Sequence, residues 1–312
     1  MKGYYFVLLD DSGDKIKAGL PVFEVKSWLT GSRLVSIPFA TLCDPLISIR
    51  EDLGMIFESV LKLSKELKSH NIEIRTLQSS SIIKDSGLSS IRLNKHHYLH
   101  LENELDKLYK KFHRSCVRQR ISRAIKSDLR LTVGETESDL QDFYQLQLIT
   151  RKRLGLPLQP YIFFKMLWEI FSPLKQIQLL FALKDERKIA GLLQFKFGER
   201  VSVEFAVSDE RYRNLSPNHF LFWEAIKLAH QEGYKIFDFG RTSPSNRSLM
   251  EFKGRWGAKV IDLPVFLHPP EAADEIIKRE GTWKYRFVSK LCSSAPDSFQ
   301  EAIGNFCYRH LG

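Results

Sequence analysis

Three apolar segments separated by two very short turns constrain the fold of this chain more than any other feature. Ile177–Leu183, Lys188–Phe197 and Val201–Val207 each have the length and apolar content of a strand. Only Lys184-Asp-Glu186 and Gly198-Glu199 separate them, and connections this short join antiparallel neighbours. The sequence therefore predicts an antiparallel meander in the second half of the chain.

The elements around the meander predict a mixed sheet. Pro217–Gln231 has a helical pattern, and Ile236–Phe239 is a short apolar strand. A helical crossover makes the strands that it connects parallel, so a parallel pair adjoins the meander. The other predicted elements are strand Leu129–Val133, helices Leu140–Leu154 and Tyr161–Phe171, a helix from Arg247 and strand Lys259–Leu267. The order β-α-α-β-β-β-α-β-α-β indicates an α/β (α+β) fold, with a mixed sheet flanked by helices.

The remainder of the chain predicts a further mixed domain and a helical tail. The predicted elements of the first part are strands Tyr4–Leu9, Ile16–Val25, Leu34–Ile37, Ile72–Leu77 and Tyr98–Leu101 and the amphipathic helix Asp52–Ser69. From Glu271 the pattern is helical, with a break at Pro296. We therefore predict domains at 1–127 and 128–270, followed by a helical tail at 271–312.

Composition and cysteine placement favour a cytoplasmic protein. The 312 residues suffice for two domains, and 43% hydrophobic residues support packed cores. No apolar run approaches the roughly 20 residues of a membrane span, and the N-terminus lacks an export-signal pattern. The cysteines are scattered, without zinc-binding spacing. These features predict a reducing cytoplasmic location and no metal, while the amphipathic tail is compatible with peripheral membrane contact.

Positive charge is concentrated in one segment of the chain. The net charge is +10, and between Arg92 and Arg130 eleven lysines and arginines outnumber four acidic residues. Most of them lie on Lys107–Lys126, which predicts one or two helices. Two interpretations stay open: a solvated helical face that joins two domains, or a surface for a phosphate-bearing ligand such as a nucleotide-sugar, a lipid phosphate or RNA. No RNA-binding motif with interleaved aromatic residues supports the RNA option.

The segment Gly233–Gly257 combines a strand end, a turn and a helix start. Gly240 permits a sharp exit from the strand. Asn246 is a good N-cap for a helix over Arg247–Trp256, which the final glycine of the segment would close. Lys253 lies about two turns into this helix. The pattern predicts an anion-binding pocket, although a strand, a turn and a helix with a solvated lysine would have the same pattern.

The third strand of the meander carries a candidate catalytic carboxylate. Alternation predicts Val201, Val203, Phe205 and Val207 on one face and Ser202, Glu204, Ala206 and Ser208 on the other. A face of small and polar residues on a central strand often lines a cleft. Glu204 is therefore a candidate general base or amine-holding group, and an ion pair with a neighbouring basic residue explains it at least as well.

A second candidate site is the junction that follows this strand. Arg213-Asn-Leu-Ser-Pro-Asn218 leads into a helix, with Ser216 as the predicted N-cap and Pro217 at the first helical position. The free N–H groups of such a helix start suit a phosphate or pyrophosphate. A helix start that binds nothing would show the same pattern.

Two loops are further candidates for substrate contacts. Arg151–Pro160 ends one helix and begins another through a Gly/Pro turn, where Arg153 serves either a ligand or the helix dipole. Ser36–Leu46 is a long apolar loop after a strand, rich in small residues and prolines. Such a loop either shapes a substrate pocket or covers a core.

Four motifs, spread over nearly the whole chain, resemble the FemAB-related branch of the GNAT acyltransferases. They are Leu34-Val-Ser-Ile-Pro-Phe39, Arg153-Leu-Gly-Leu-Pro157 with Gln159-Pro160, Asp238-Phe-Gly-Arg241, and Phe252-Lys253-x-x-Trp256-Gly257. The element order of residues 129–267 also resembles the GNAT fold. The resemblance implies tandem GNAT-like domains, and it implies a first domain that is N-terminally shortened, because family members usually have a strand and a helix before the position of Tyr4.

The resemblance also implies roles for individual residues. The Phe252–Lys253 pair would lie at the reaction centre. Apart from the resemblance, Glu204 or a bound water is the expected acceptor of the amine proton. Where the GNAT family has Arg/Gln-x-x-Gly-x-Gly/Ala for the donor pyrophosphate, this chain has Arg213, Ser216 and Asn218, with both glycines replaced. The implied substrate-binding residues are Ser36, Phe39, Arg153, Asp238 and Arg241.

The expected function is N-acyl transfer to an amine of a cell-envelope or exopolysaccharide precursor. Acyl-CoA is the expected donor, and aminoacyl-tRNA is the alternative that the basic segment would serve. The expected acceptor is a phosphate-bearing small molecule or a lipid-linked glycan precursor. Two other classes stay open: an aminoacyl-tRNA-dependent aminoacyltransferase of the peptidoglycan type, and a non-catalytic module that binds an anionic glycan precursor.

Overall fold

A computed structural model describes the chain over residues 1–27, 31–84, 88–101, 104–273 and 283–311, with side chains from residue 288 to 310 in the last range. The described residues divide into two units. The first unit comprises Met1–Lys95, Asp262–Tyr285 and Phe306–Gly312, and the second comprises His96–Ile261 and Arg286–Asn305.

The first unit contains a mixed sheet with a long helix on it. Its elements are β1 (Lys2–Leu9), β2 (Ile16–Ser27), β3 (Gly31–Val35), α1 (Arg50–Glu66), β4 (Asn71–Arg75), α2 (Ser80–Ile83) and parts of β5 (Ser89–His100) and β11 (Lys259–His268). The sheet order is β1-β2-β3-β4-β11. Apolar residues of α1, including Leu53, Ile56 and Val60, pack on the buried face of the sheet, as the amphipathic pattern predicts.

The second unit begins within β5, at His96. Its further elements are α3 (Leu105–Lys111), a π-helical turn (Arg114–Arg118), α4 (Gln119–Lys126), β6 (Arg130–Gly134), α5 (Glu137–Leu154), α6 (Tyr161–Phe171), β7 (Ile177–Lys184), β8 (Arg187–Phe197), β9 (Arg200–Ser208), a 3₁₀ turn (Glu210–Leu215), α7 (Pro217–Gln231), β10 (Ile236–Thr242) and α8 (Arg247–Gly254). The sheet order is β5-β10-β9-β8-β7-β6.

Two apolar layers cover the sheet of the second unit on opposite faces. One layer contains α4 and α7, whose buried residues Ile121 and Leu221 join Phe237 and Trp256 in one cluster. The other contains α5 and α6, where Phe143 packs with its neighbours against β7 and β8. The sheet is therefore flanked by helices on both faces, which confirms the predicted fold class.

Both units repeat one topology: a three-strand meander, a helical crossover and a strand parallel to the third. In the first unit α1 connects β3 to the parallel strand β4. In the second unit α7 connects β9 to the parallel strand β10. The two units are thus tandem GNAT-like folds. No repeat is visible in the residues themselves, because the topology needs only apolar periodicity.

The units divide the chain at other positions than the predicted domains 1–127 and 128–270. The basic segment, predicted to close the first domain, belongs to the second unit. Its apolar side explains this: Leu108, Val117 and Ala124 are buried in the cluster that contains α7. The positive charge of the segment led to its prediction as a connection between domains. Its buried apolar side instead makes it part of the core of the second unit.

Over its described residues from 283 to 311, the tail forms helices α9 (Trp283–Ser294) and α10 (Asp297–Leu311), on either side of Pro296. The predicted break at this proline is therefore confirmed. Within the second unit, a Cβ built on Gly304 would lie 1.8 Å from the carbonyl oxygen of Leu158, so only glycine permits this approach. No helix in the described part of the chain is long and apolar enough to cross a membrane.

Candidate active site

The site lies where two parallel strands of the second unit part. β9 and β10 are paired in register only over Arg200–Ser202 and Ile236–Asp238, although both strands continue beyond those residues. Gly240 follows the divergence with φ of 73°, a conformation that favours glycine. Backbone groups of two strand ends therefore face a gap in the sheet instead of each other.

A β-bulge in β9 determines how Glu204 is presented. Against β8, Val203 faces Gln194 and Phe205 faces Leu193, so Glu204 has no partner in the register. The prediction that Val201, Val203, Phe205 and Val207 share one face is wrong. The first two pack in the cluster with α7, and the last two pack in the cluster with α5 and α6. An extra residue in one strand reverses the alternation beyond it.

Lys253 reaches the strand divergence from α8. Its side chain is buried, and its Nζ donates to the carbonyl oxygens of Gly240 at 3.1 Å and Arg241 at 3.0 Å. Burial lowers the pKa of Lys253 to about 8, and the carboxylates of Asp238 and Glu204 oppose this effect. The amine therefore loses its proton near pH 8, at a lower pH than an exposed lysine, and it is mostly an ammonium group at neutral pH.

The helix that carries Lys253 is fixed at both ends. Asn246 caps it as predicted, with its Oδ1 accepting from Leu249 N at 3.2 Å. The helix ends at Gly254, with Arg255 as its C-cap, so the prediction that it runs to Trp256 is wrong. Trp256 is instead fully buried in the aromatic cluster, which holds the helix against the sheet.

Phe252 precedes the lysine and points into a different environment. Its ring packs on His219, Phe222 and Trp256, at centroid distances of 5.2, 5.5 and 6.2 Å. Successive helical residues point about 100° apart, so Phe252 packs in the aromatic cluster while Lys253 reaches the strand ends. Burial and then Arg120 lower the pKa of His219 to about 4, which keeps this ring neutral.

Asp238 and two residues absent from the sequence prediction form a buried network. Arg200 Nη1 donates to Asp238 Oδ2 at 2.7 Å, and His96 Nε2 lies 3.1 Å from the same oxygen. Gly240 N donates to Oδ1 at 2.7 Å. Burial alone would raise the pKa of Asp238, but the His96 and Gly240 contacts and Arg200 outweigh it and lower that pKa. Asp238 is an ionised group inside the protein.

His97 is the other site residue that sequence reasoning missed. It is fully buried, and burial followed by the charges of Lys253 and His96 lowers its pKa to about 4. Both histidines lie on β5, which begins at Ser89, whereas the predicted strand began at Tyr98. Had the predicted strand been extended upstream to Ser89, it would have placed both histidines on the strand.

Glu204 opens toward solvent at the same gap. Partial desolvation by the surrounding protein atoms, followed by the charge of Asp238, raises its pKa, and Arg241, His96 and Lys253 act in the opposite direction. Arg241 is exposed. The carboxyl of Glu204 thus shares one electrostatic environment with the Lys253 amine. Among the described residues, no group of three or more His, Cys, Asp or Glu side chains could hold a metal ion.

The predicted donor loop has an unusual backbone at the start of α7. Ser216 has φ of 61°, in the left-handed region, and its side chain does not cap the helix as predicted. Its hydroxyl is buried without a hydrogen-bond partner, as is Asn218 Oδ1. Asn218 Nδ2 donates to Ser208 Oγ at 3.4 Å. Arg213 is exposed. Ser216 therefore has a glycine-like conformation at a position where the GNAT pattern has glycine.

Three predicted substrate residues lie elsewhere. Arg153 is in the last turn of α5, and its Nε is 3.8 Å from Glu210 Oε2. Ser36 is buried in the first unit, with its Oγ accepting from Arg75 N at 3.2 Å. Phe39, also in the first unit, packs on Tyr308 at a centroid distance of 5.3 Å. Their substrate roles stay predictions.

Comparison with known proteins agrees with the fold. Residues 111–253 match the family model of the acetyltransferase (GNAT) domain, a range that ends at Lys253. A Lipid II:glycine glycyltransferase of Staphylococcus haemolyticus is 30% identical over 73 residues, which are 23% of this chain and 17% of that relative's length.

Solved structures agree over most of the chain. The crystal structure of FemX matches with a TM-score of 0.70 and 14% identity, over 89% of this chain and 90% of that one. The C-terminal domain of a putative lysylphosphatidylglycerol synthetase from Agrobacterium fabrum matches with a TM-score of 0.61 and 15% identity, over 87% and 86% of the two chains. At these identities the likeness concerns the fold.

The diverging strands, the helix start after β9 and the matched domain define a GNAT-type acyltransferase. Within that class the four sequence motifs resemble the FemAB-related branch, and the 73-residue match to a glycyltransferase agrees with that resemblance.

Proposed function

We propose that this acyltransferase moves an acyl or aminoacyl group onto an amine of a cell-envelope or exopolysaccharide precursor in the cytoplasm. One observation carries the proposal: the buried Lys253 amine lies at the divergence of β9 and β10, held by two carbonyl oxygens, in the field of Glu204. Such a pair supplies a cation for a developing oxyanion and a carboxylate for a proton.

The residues perform the transfer in one addition and one elimination. The acceptor amine attacks the donor carbonyl carbon, and the carbonyl oxygen becomes an oxyanion that the Lys253 ammonium stabilises. Glu204, whose pKa is raised, takes the proton that the nitrogen loses. The intermediate then collapses, the bond from carbon to the donor's sulfur or oxygen breaks, and the leaving group receives the proton that Glu204 took from the nitrogen. Phe252 fixes the direction of the lysine through its packing on α7.

The start of α7 is the proposed site for the donor's phosphates. Among the described residues, the buried Ser216 hydroxyl has no hydrogen-bond partner, and such groups are rare in folded proteins unless a ligand or water completes them. The hydroxyl and the amide N–H groups of the helix start would donate to phosphate oxygens, and Arg213 would supply charge at the surface. This arrangement suits acyl-CoA even though the glycines are replaced.

A second candidate donor is aminoacyl-tRNA, which the exposed basic surface of α3 and α4 favours. Residues 107–127 contain eight lysines and arginines and no acidic residue. Lys110, Arg120, Arg123 and Lys126 are exposed, while the apolar side is buried. The match to a glycyltransferase supports this donor class. A lipid-linked precursor is the corresponding acceptor, as the relative's name, Lipid II:glycine glycyltransferase, suggests.

The two donors are separated by incubating the pure protein with labelled acetyl-CoA and, separately, with labelled aminoacyl-tRNA, and measuring binding and hydrolysis. If tRNA is the donor, Arg120→Glu with Arg123→Glu should weaken its binding about tenfold or more and reduce the salt dependence of the binding constant. The matched control is Lys62→Glu with Lys65→Glu on α1 of the first unit. If the protein neither binds nor hydrolyses either donor, the proposal is contradicted.

A further inference from the structure

Asp238 uses both carboxylate oxygens inside the protein. Oδ2 is shared by Arg200 Nη1 at 2.7 Å and His96 Nε2 at 3.1 Å, and Oδ1 accepts from Gly240 N at 2.7 Å. The residue is 4% exposed. Asp238 also forms the last registered pair of β10 with β9, opposite Ser202. Its carboxylate therefore ties together three strands at the point where two of them part.

The same carboxylate is connected to Lys253 through a single turn. Asp238 holds the amide of Gly240, and the carbonyl oxygens of Gly240 and Arg241 accept from Lys253 Nζ at 3.1 and 3.0 Å. Gly240 has φ of 73°, so the turn is in a conformation that few residues adopt without support. Lys253 is thus held by carbonyls whose orientation depends on the bond to Asp238.

We propose that Asp238 is a positioning residue that fixes the Gly240–Arg241 turn as the receptor of the Lys253 ammonium group, and that it contacts no substrate. This inference rests on the proposed role of Lys253 in acyl transfer. It replaces the sequence-based expectation that Asp238 binds substrate, because the carboxylate is 4% exposed and both of its oxygens bind groups inside the protein.

The charge of Asp238 gives this role a signature that a purely structural role lacks. The titratable groups that face Lys253 are Asp238 from β10, Glu204 from β9 and His97 from β5. Of the two carboxylates, Asp238 raises the pKa of Lys253 more strongly. Removing its charge, or the carbonyl acceptors that it orients, leaves the ammonium form less stabilised, so the pKa of Lys253 falls further.

The test is a titration of Lys253 by NMR in protein labelled with [ε-¹³C]lysine, with the signal assigned by its loss in Lys253→Arg. In the wild type the amine should titrate near pH 8. In Asp238→Asn the midpoint should fall by about one pH unit. The matched control is Asp52→Asn, which neutralises a buried aspartate of the first unit that pairs with Lys17 at 2.8 Å; the Lys253 midpoint should not change there.

Gly240→Ala is a second test variant, which can be used if Asp238→Asn fails to fold. A Cβ at Gly240 would lie 3.5 Å from the Val203 carbonyl oxygen, an ordinary contact, so the variant has room to fold while its turn is strained. Its Lys253 midpoint should also fall. A midpoint that stays at the wild-type value in the folded variants overturns the proposal.

Catalysis provides a second, separable readout. With whichever of acetyl-CoA or aminoacyl-tRNA is turned over, Asp238→Asn should lower kcat about tenfold or more while KM changes little, because substrate does not touch the carboxylate. The alkaline limb of the pH–rate profile should move to lower pH with the Lys253 midpoint. A raised KM with unchanged kcat would instead assign Asp238 to substrate binding. If the wild-type protein shows no turnover, the proposed function is contradicted. The NMR titration does not need turnover, so it still tests whether Asp238 positions Lys253.

Discussion

The two units build the same crossover and fill its strand divergence differently. In the first, β3 and β4 pair over Arg33–Val35 and Asn71–Glu73, and the chain beyond them is joined: Ser36 N donates to Glu73 O at 2.9 Å, and Arg75 N donates to Ser36 Oγ at 3.2 Å. In the second, β9 and β10 also part after a short registered stretch, and the buried amine of Lys253 and the carboxyl of Glu204 face the gap.

The difference shows that the shared topology provides a strand divergence in each unit, whereas the residues at the divergence decide whether it can serve catalysis. Arg75 closes its gap by binding Glu73 at 2.6 Å and the Ala40 carbonyl at 3.0 Å, so its charge is neutralised locally. Among the described residues, Lys253 Nζ donates to two carbonyl oxygens, and burial lowers its pKa to about 8. A gap closed by an ion pair is structural, whereas a buried amine held by dipoles retains a charge for a reacting group.

The largest expected effect comes from removing that amine. Lys253→Ala should lower kcat roughly 10²-fold or more, since the loss of one oxyanion-stabilising group typically has an effect of this size. Steady-state kinetics with the donor that is turned over measures it, and circular dichroism checks the fold. Lys259→Ala, an exposed lysine at the start of β11, is the control and should keep full activity. Wild-type turnover in Lys253→Ala would remove the lysine from the mechanism.

The same amine should make stability depend on pH. The pKa of Lys253 is lowered from 10.5 to about 8, so below pH 8 the folded protein bears the cost of a buried charge. Stability should rise as the pH increases from about 8 to 10.5, by about 3 kcal/mol in total, because the folded state loses this proton first.

Lys253→Met isolates this contribution. Urea unfolding between pH 7 and 10.5 should show that the free energy of unfolding of the wild type rises by about 3 kcal/mol relative to that of the variant. A constant difference across the range would mean that the buried amine keeps its ordinary pKa.

Local patterns predicted most of the fold. The meander and the crossover of the second unit and the N-cap at Asn246 follow from short-range periodicity and turn chemistry, and the structure confirms them. The bulge at Glu204 could not be predicted, because the strand reads as uniform alternation and only the mismatch with β8 reveals the extra residue. Its consequence, the change of face after Val203, decides where Glu204 points.

The sequence predicted individual residues of the site, but it could not predict the hydrogen bonds that connect them. Lys253 was found through a helix motif, and Asp238 through a strand motif. The link between them depends on Gly240 and on His96, which lies on a strand far away in sequence. Long-range pairing of this kind leaves no local pattern. For the same reason Asp238 was expected to bind substrate, although its oxygens are already engaged.

A smaller effect should follow from opening the closed gap of the first unit. Arg75→Met removes the partner of Glu73 and the donor to Ala40 O, and it leaves a largely buried carboxylate unpaired. The free energy of unfolding should fall by about 2 kcal/mol, measured by urea denaturation. Turnover per folded molecule should stay at the wild-type value, and a loss of kcat without a loss of stability would show that this gap also takes part in catalysis.

The smallest effect concerns two residues with left-handed backbone, one in the loop after each third strand: Ser216 with φ of 61° and Phe39 with φ of 66°. Ser216→Gly should stabilise the protein by about 1 kcal/mol, because glycine adopts this conformation without the steric cost and the serine hydroxyl has no partner to lose. Phe39→Gly relieves the same strain but loses the ring contact with Tyr308, which is worth about as much, so the two contributions should cancel.

Thermal unfolding of both variants compares the loops directly, with a rise of a few degrees expected for Ser216→Gly alone. The proposed contact of the Ser216 hydroxyl with phosphate predicts weaker acetyl-CoA binding in Ser216→Gly, whereas unchanged binding would mean that the backbone of the α7 start alone holds the phosphates. A loss of acetyl-CoA binding in Ser216→Gly would instead mean that the buried hydroxyl is the phosphate donor. The serine would then have replaced the family glycine as a ligand group, and the strain at φ of 61° would be the cost of keeping it there.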